Sequence, residues 1–301
     1  MRIGIVDLDS SHPETFIRRL RELGGAEVSC VYDSGDVHAA GYAERFAKQH
    51  GIPDVAESIA EMAGRVDGAL VLGVNWDAHL ERSRPLLEAG IPVFVDKPVF
   101  GKLAHGYALH DIAYRASTPL MGGSTIRYDD KVIAFREEVG AWPRVETAFA
   151  CGPGTFFYYG IHTAELCHTV LGGSIKKVRL CGEARELFEV VYTDGKVVRL
   201  ELQSARPPFL GVFATNKAPA SVVANGRSNG LIGAFLKMVE TKEPPIPFET
   251  TLETTAVMIA VHRARTAPGW VYLDDLPLDE GPDGAAFCAW YAADERRVGR
   301  A

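Results

Sequence analysis

The stretch Phe94-Val95-Asp96-Lys97-Pro98 puts a lysine directly after a short apolar run, with an aspartate beside it. A lysine held partly out of water binds its proton less tightly. It can then donate to a substrate hydroxyl and stabilise a developing alkoxide. The plainer reading is a surface lysine paired with Asp96. Upstream, Val74-Asn75-Trp76-Asp77-Ala78-His79 gathers an amide, an indole and an imidazole after another apolar run. A third cluster runs from Gly152 through the aromatic pairs Phe156-Phe157 and Tyr158-Tyr159 to His162, Glu165 and His168. Those last three residues recur every third position, roughly on one helix face. Such a face suits a metal ion, a general base with an orienting carboxylate, or structural histidines in an apolar helix. The zincin spacing is absent, and no metal is assigned.

The turn Gly4-Ile5-Val6-Asp7-Leu8-Asp9-Ser10-Ser11-His12 follows the first strand. In a doubly wound domain this turn usually carries G-x-G-x-x-G, which lets the backbone approach a pyrophosphate at a helix N-terminus. None of those glycines is present where expected, and Asp7 and Asp9 put negative charge there. Ser10, Ser11 and the free helix N–H groups still offer a place for a phosphate. The alternative is an ordinary helix cap with two solvated aspartates. Asp33 ends the second strand, where a carboxylate commonly takes the ribose hydroxyls of NAD and repels the 2′-phosphate of NADP. It reads equally as a turn aspartate before Ser34-Gly35.

The elements that position these residues fall into two groups. Strands are expected at Arg2–Val6, Glu27–Tyr32, Gly68–Val74, Pro92–Val95 and Pro119–Gly122. Helices alternate with them at Pro13–Leu23, Val37–His50, Ser58–Ala63, Asp77–Ala89 and Leu103–Ala116. Ser11, Pro13 and Glu14 together give a helix-start signal. Alternation of this kind implies right-handed crossovers and a parallel, doubly wound sheet. After about residue 125 the grammar changes. Helices are expected at Asp129–Val139, Gly160–Leu171, Leu231–Thr241 and Thr251–Arg265. Strands are expected at Arg144–Ala150, within Ile175–Ala205, and at Phe209–Ala214 and Ser221–Val223. Asp194-Gly195 marks an antiparallel hairpin. The tail from 274 to 301 carries no clear period. The fold class is therefore α/β: a Rossmann domain over 1–122 and an α+β domain over 123–301 with an open, mostly antiparallel sheet.

With 47% hydrophobic and 24% charged residues, the chain has the composition of a globular protein that can bury a sizeable core. Its net charge of −7 argues against nucleic acid or an anionic membrane as the main partner. No apolar run approaches the ~20 residues of a membrane span. The strand that begins at Arg2 leaves no room for a leader, and the five scattered cysteines form no C-x-x-C, so a reduced cytoplasmic location is expected.

Taken in order, these places resemble the Gfo/Idh/MocA family (glucose–fructose oxidoreductase / inositol dehydrogenase). Asp96-Lys97-Pro98 matches its E-K-P motif, and Asn75 to His79 an N-x-x-H-like stretch. Gly123 through Asp129 matches a glycine–Arg–Tyr stretch opening the second domain. Gly152 through Glu165 matches G-G-x-x-x-D-x-G-x-H-x-x-D. The resemblance implies NAD(P)-dependent oxidation or reduction at a sugar or polyol carbon. It implies that Lys97 bridges cofactor and substrate and that His162 is the acid/base. Asn75 and Trp76 would line the nicotinamide pocket. His12, His79 and Asp96 would join Asp7, Ser10, Ser11, Asp33 and Lys97 around the cofactor. Arg127, Tyr159 and Glu165 would face the substrate. Two departures stand out. The glycine loop is missing, and the aspartate four residues before the histidine is Tyr158, a workable proton donor with an unperturbed pKa near 10.

The first reading is thus an oxidoreductase, with NAD favoured over NADP, in which Tyr158 assists Lys97 and His162. Only a cleft between the two domains would bring Lys97 and His162 together. Two rivals keep the fold without the redox step: a binding or regulatory protein that has lost the cofactor, and a lyase or isomerase using Lys97, His162 and His12. Assembly into a homo-oligomer through the second domain's sheet is also expected, because Val191, Val197, Leu200 and Leu202 alternate with charged residues there.

Overall fold

Apolar runs without polar alternation become buried parallel strands, because a sheet covered on both faces leaves no side for water. That rule builds the first unit from β1 (Arg2–Val6), α1 (His12–Leu23), β2 (Glu27–Tyr32), α2 (Tyr42–His50), β3 (Asp54–Val55), α3 (Ile59–Ala63), β4 (Gly68–Val71), α4 (His79–Glu88), β5 (Val93–Asp96), α5 (Leu103–Ala116) and β6 (Leu120–Gly123). The computed structural model describes residues 1–140, 145–154, 156–182, 186–203, 208–215, 218–226 and 229–297. The strands form one sheet in the order β3-β2-β1-β4-β5-β6. β1 runs parallel to both β2 and β4. The order reverses between β1 and β4, so ligands of such a sheet lie beyond the carboxyl ends of these two strands.

The second unit starts with α6 (Asp130–Gly140), β7 (Val145–Pro153), α7 (Phe156–Leu171), β8 (Ile175–Gly182), β9 (Glu186–Tyr192), β10 (Val197–Gln203), β11 (Phe209–Thr215) and β12 (Pro219–Ala224). The chain closes with α8 (Gly230–Thr241), α9 (Phe248–Ala264), β13 (Val271–Tyr272) and α10 (Gly284–Arg297). The second sheet has the order β12-β11-β7-β10-β9-β8-β13. It is mostly antiparallel, with β10 and β7 as its parallel pair among the registered ones. The expected hairpin joins β9 to β10: the Tyr192 N–H bonds to the Lys196 carbonyl, and Gly195 takes φ +87°.

Several expectations change. The division into 1–122 and 123–301 is interrupted: the first unit comprises Met1–Gly122, Ile232–Phe248 and the chain from Asp283 onward, and the second holds Gly123–Leu231 and Glu249–Pro282. The helix expected from Val37 begins only at Tyr42, because Gly41 takes a left-handed conformation (φ +81°) and His38 turns back to the Leu8 carbonyl. The strand expected to reach Val74 stops at Val71. Ser11 precedes α1 but makes no side-chain cap, so the start signal there acts through Pro13 and the first-turn Glu14. The tail without a clear period forms α10. Arg144, Thr155, Ser204-Ala205 and Val298–Ala301, each part of an expected element or motif, lie outside the described residues.

Parity also splits the hairpin's apolar residues. Val198, Leu200 and Leu202 are buried, whereas Val191 and Val197 pair across the opposite, half-buried face. That face carries an ion-paired row, with Glu189 between Arg179 at 3.0 Å and Arg199 at 3.7 Å.

Candidate functional site

In the first unit the loop after β1 is built from carboxylates where glycines were expected. Asp7 is buried and adopts φ +66°. Its Oδ1 accepts from the Ser34 N–H at 3.1 Å and its Oδ2 from Arg82 Nε at 2.8 Å. Arg82 also donates to Asp36 at 2.7 Å. Asp9 accepts from the Val74 N–H at 2.9 Å, while its buried Oδ1 has no partner. Burial pushes both acids up against the pull of their donors, Asp9 further because Asp7 lies beside it. Asp33, ending β2, accepts from the Leu8 N–H at 3.1 Å and is half-buried, which raises its pKa. Asp7 therefore shapes the loop through Arg82 and Ser34, in place of the cofactor contact expected of it. Ser10 and His12 lie half-buried at the start of α1, and Ser11 is exposed.

Lys97 follows β5 and is 3% exposed. Burial lowers its pKa to about 8, with Asp96 opposing. Asp96 is itself buried, which would raise its pKa. His12 and Lys97 outweigh that and hold it below the usual carboxylate value. His12 Nδ1 and Asp96 Oδ2 lie 2.5 Å apart, and the His12 side chain keeps 27% of its surface open. The surface-lysine reading of Lys97 is thus excluded by its burial.

Three residues after β4 do not take their expected places. His79 is 1% exposed, with Nδ1 3.0 Å from the Val99 carbonyl and Nε2 2.8 Å from the Gly73 carbonyl. It pins the loops after β4 and β5 together, and both ring nitrogens are engaged in doing so. Burial lowers its pKa against these two bonds. Trp76 is buried against Phe287 of α10, with ring centroids 5.0 Å apart. Asn75 accepts from the Asp77 N–H at 3.2 Å, and Asp77 accepts from the Gly284 N–H at 2.8 Å. This turn anchors α10, a contact the sequence reading missed.

In the second unit the three polar residues of α7 go to three different partners. His162 Nδ1 lies 2.5 Å from Ser124 Oγ, and both side chains are buried. Glu165 forms a buried ion pair with Arg127. Arg127 also donates to Thr254 at 3.3 Å. His168 Nε2 bonds to Glu253 at 2.8 Å, and Glu253 accepts from the Ile175 N–H at 2.7 Å. Of the readings open for this helix face, the separate partners favour polar residues that each serve their own contact. Arg127 and Glu165, expected to face substrate, hold each other instead. Gly123 explains their closeness: at φ +113°, a Cβ there would lie 2.6 Å from Glu165 Oε1. Tyr158 is buried and packs edge-on against the more exposed Tyr159, centroids 5.4 Å apart. Tyr159 in turn lies 5.9 Å from the His162 ring. Ser124 is the site residue that sequence reasoning missed. Its signal was its place inside the Gly123–Asp129 stretch.

Residues 1–124 match the sequence model of a family described as "Oxidoreductase family, NAD-binding Rossmann fold". That model is the one named for the Gfo/Idh/MocA proteins, to which this first part of the chain is similar. Myo-inositol dehydrogenase Hyg17 of Streptomyces leeuwenhoekii is 31% identical over 114 residues, covering 38% of this chain and 34% of that protein. The matched stretch spans about a third of the length of the curated relatives. Across the whole fold, the structure of myo-inositol dehydrogenase from Lactobacillus casei, in complex with NAD(H) and myo-inositol, superposes with a TM-score of 0.78. It is 15% identical and covers 95% of this chain and 99% of that one. GenD2 from gentamicin A biosynthesis, in complex with NAD, gives 0.79 at 14% identity, covering 90% and 96%. The likeness in fold thus extends over both sheets. Among the described residues, no helix is long and apolar enough to cross a membrane.

Proposed function

We propose that the protein is an oxidoreductase that moves a hydride between NAD(H) and a carbinol or carbonyl carbon of a sugar, polyol or related small molecule. The observation that carries this is the buried Lys97 at the carboxyl end of β5, braced by Asp96 and His12, within an NAD-binding Rossmann domain. A binding protein without chemistry has no reason to bury a lysine whose proton is loosened. The glycine-poor loop still fits the cofactor. The orphaned Asp9 Oδ1 points to an absent hydrogen-bond partner, and the half-open His12 ring offers a donor suited to phosphate. Ser10, Ser11 and His12 would hold the pyrophosphate, and Asp33 the ribose hydroxyls.

When bound, NAD(H) supplies or accepts the hydride. Lys97 stabilises charge on the substrate oxygen, and His162 handles the proton at that oxygen. Tyr159, half exposed, orients the substrate, and Tyr158 supports it from behind. The myo-inositol named for two relatives favours a polyol. Self-association through the outer face of the second sheet belongs to the same reading.

Titration of the purified protein with NADH and NADPH, followed by fluorescence, tests the core of this. Binding of NADH in preference to NADPH is expected, with Asp33→Ala narrowing the gap. Equal affinities unaffected by Asp33→Ala contradict the NAD preference. No binding of either nucleotide overturns the oxidoreductase reading in favour of a non-redox one.

A further inference from the structure

Ser124 is fully buried and directly precedes the short 3-10 turn Thr125–Tyr128. Its hydroxyl oxygen accepts from the Ile126 N–H at 3.0 Å. The same oxygen lies 2.5 Å from His162 Nδ1. A serine hydroxyl has one proton to donate and two lone pairs to receive. With one lone pair taken by Ile126, two arrangements with His162 are possible. If Nδ1–H donated to Oγ, the serine proton would be left buried with no acceptor, since among the described residues the Ser124 hydroxyl meets only Ile126 N–H and His162. If Oγ–H donates to Nδ1, every group is satisfied. Unsatisfied buried donors are rare and costly, so the second arrangement prevails.

We infer that Ser124 is a positioning residue that holds neutral His162 as the tautomer with its proton on Nε2. The inference rests on the reading that His162 meets the substrate oxygen, and it changes the part His162 plays there from proton acceptor to hydrogen-bond donor. In the neutral state His162 then offers the substrate oxygen an N–H and not a lone pair. It acts as a hydrogen-bond donor that steadies negative charge on that oxygen. Phe209, edge-on to the His162 ring at 5.2 Å, holds the ring plane but cannot choose the tautomer. Which nitrogen of a histidine carries the proton is set by the bond the other nitrogen makes.

The test is a long-range 1H–15N correlation spectrum of the histidine rings in the full-length protein. It is recorded at a pH where His162 is neutral, and the resonance is assigned by its loss in His162→Gln. Nδ1 of His162 should be unprotonated in the wild type. Ser124→Ala should give a mixture of tautomers, and Ser124→Thr, which keeps the hydroxyl, should restore the single form. Turnover of Ser124→Ala should fall about 10–100-fold, the range seen when a partner that orients a metal-bound histidine is removed, with KM little changed. A protonated Nδ1 in the wild type overturns the inference. So does a tautomer ratio that Ser124→Ala leaves unaltered in a protein with wild-type circular dichroism. If His162→Gln turns over as fast as wild type, the placing of His162 at the substrate oxygen falls, and the spectrum still decides the role of Ser124.

Discussion

In the loop after β1, buried Asp7 pairs with Arg82 of α4 while buried Asp9 accepts from the Val74 N–H, and this imbalance has a measurable signature. Burial and the Asp7 charge raise the Asp9 pKa to about 8. A carboxyl whose folded pKa exceeds its unfolded value of roughly 3.9 holds a proton in the native state that the unfolded chain has lost. Stability from this group therefore declines as pH rises through that window. Asp9→Asn should flatten the decline, with a gain on the order of 2 kcal/mol near pH 9 and none near pH 4, read by thermal unfolding across pH. A pH-independent difference would assign Asp9 a purely steric role. Lys97 gives a second test. With its pKa near 8, it should produce a limb near that pH in the kcat/KM profile. Lys97→Met should remove the limb, and Lys97→Met and His162→Ala should each lower turnover about 10²–10⁴-fold. If they act as one unit, the double variant loses little more than the worse single one. The roles proposed for Lys97 and His162 come from the resemblance of their motifs to the Gfo/Idh/MocA pattern, since residue type and spacing alone left His162 open to several readings. The places of Asp7, His79 and Trp76 were not legible. Each is decided by a partner distant in sequence: Arg82, the Val99 carbonyl and Phe287.

At the scale of elements, the alternation of strand and helix through residue 122 was readable because long apolar runs and glycine stops leave few alternatives. α10 escaped because its buried stripe is Gly284, Cys288 and Ala292, residues too small to announce a hydrophobic face. Their smallness is what the packing needs. A Cβ at Gly284 would come within 2.9 Å of both Asn75 Oδ1 and Trp76. Gly284→Val should thus destabilise the protein by about 1–3 kcal/mol, the usual range for overpacking, as measured by chemical denaturation. Unchanged stability would mean that α10 contributes little. On α7, the pair Arg127–Glu165 ties the helix to the turn after β6. Removing one partner, as in Glu165→Ala, leaves a buried charge and should cost about 3–5 kcal/mol. Replacing both with apolar residues should cost less, and a larger loss in the double variant would contradict the pairing.

For the whole molecule, the two sheets and their strand order follow from where the sequence changes period, but their membership does not. The sequence reading assigned everything after 122 to the second unit, because chain proximity is all that a linear pattern offers. The order β12-β11-β7-β10-β9-β8-β13 places the outer face of β9 and β10, with its Arg179–Glu189–Arg199 row, across the middle of the second sheet. A charged row of this kind suits a self-complementary contact that weakens with salt. Light scattering at micromolar concentration should show an assembly that Glu189→Arg loosens. A strict monomer under all salt conditions contradicts it.

The return of the chain to its first unit has a consequence for biosynthesis. A ribosome that has delivered the first 122 residues has delivered every strand of the parallel sheet but for Gly123 at the end of β6. It still lacks Ile232–Phe248 and α10, which complete that unit. The usual vectorial scheme, in which an N-terminal domain folds before its successor is made, cannot finish here. The nascent first unit must wait, partly uncovered, until Asp283 and the residues after it are made. A premature stop anywhere before Asp283 would therefore damage the first unit as well as the second.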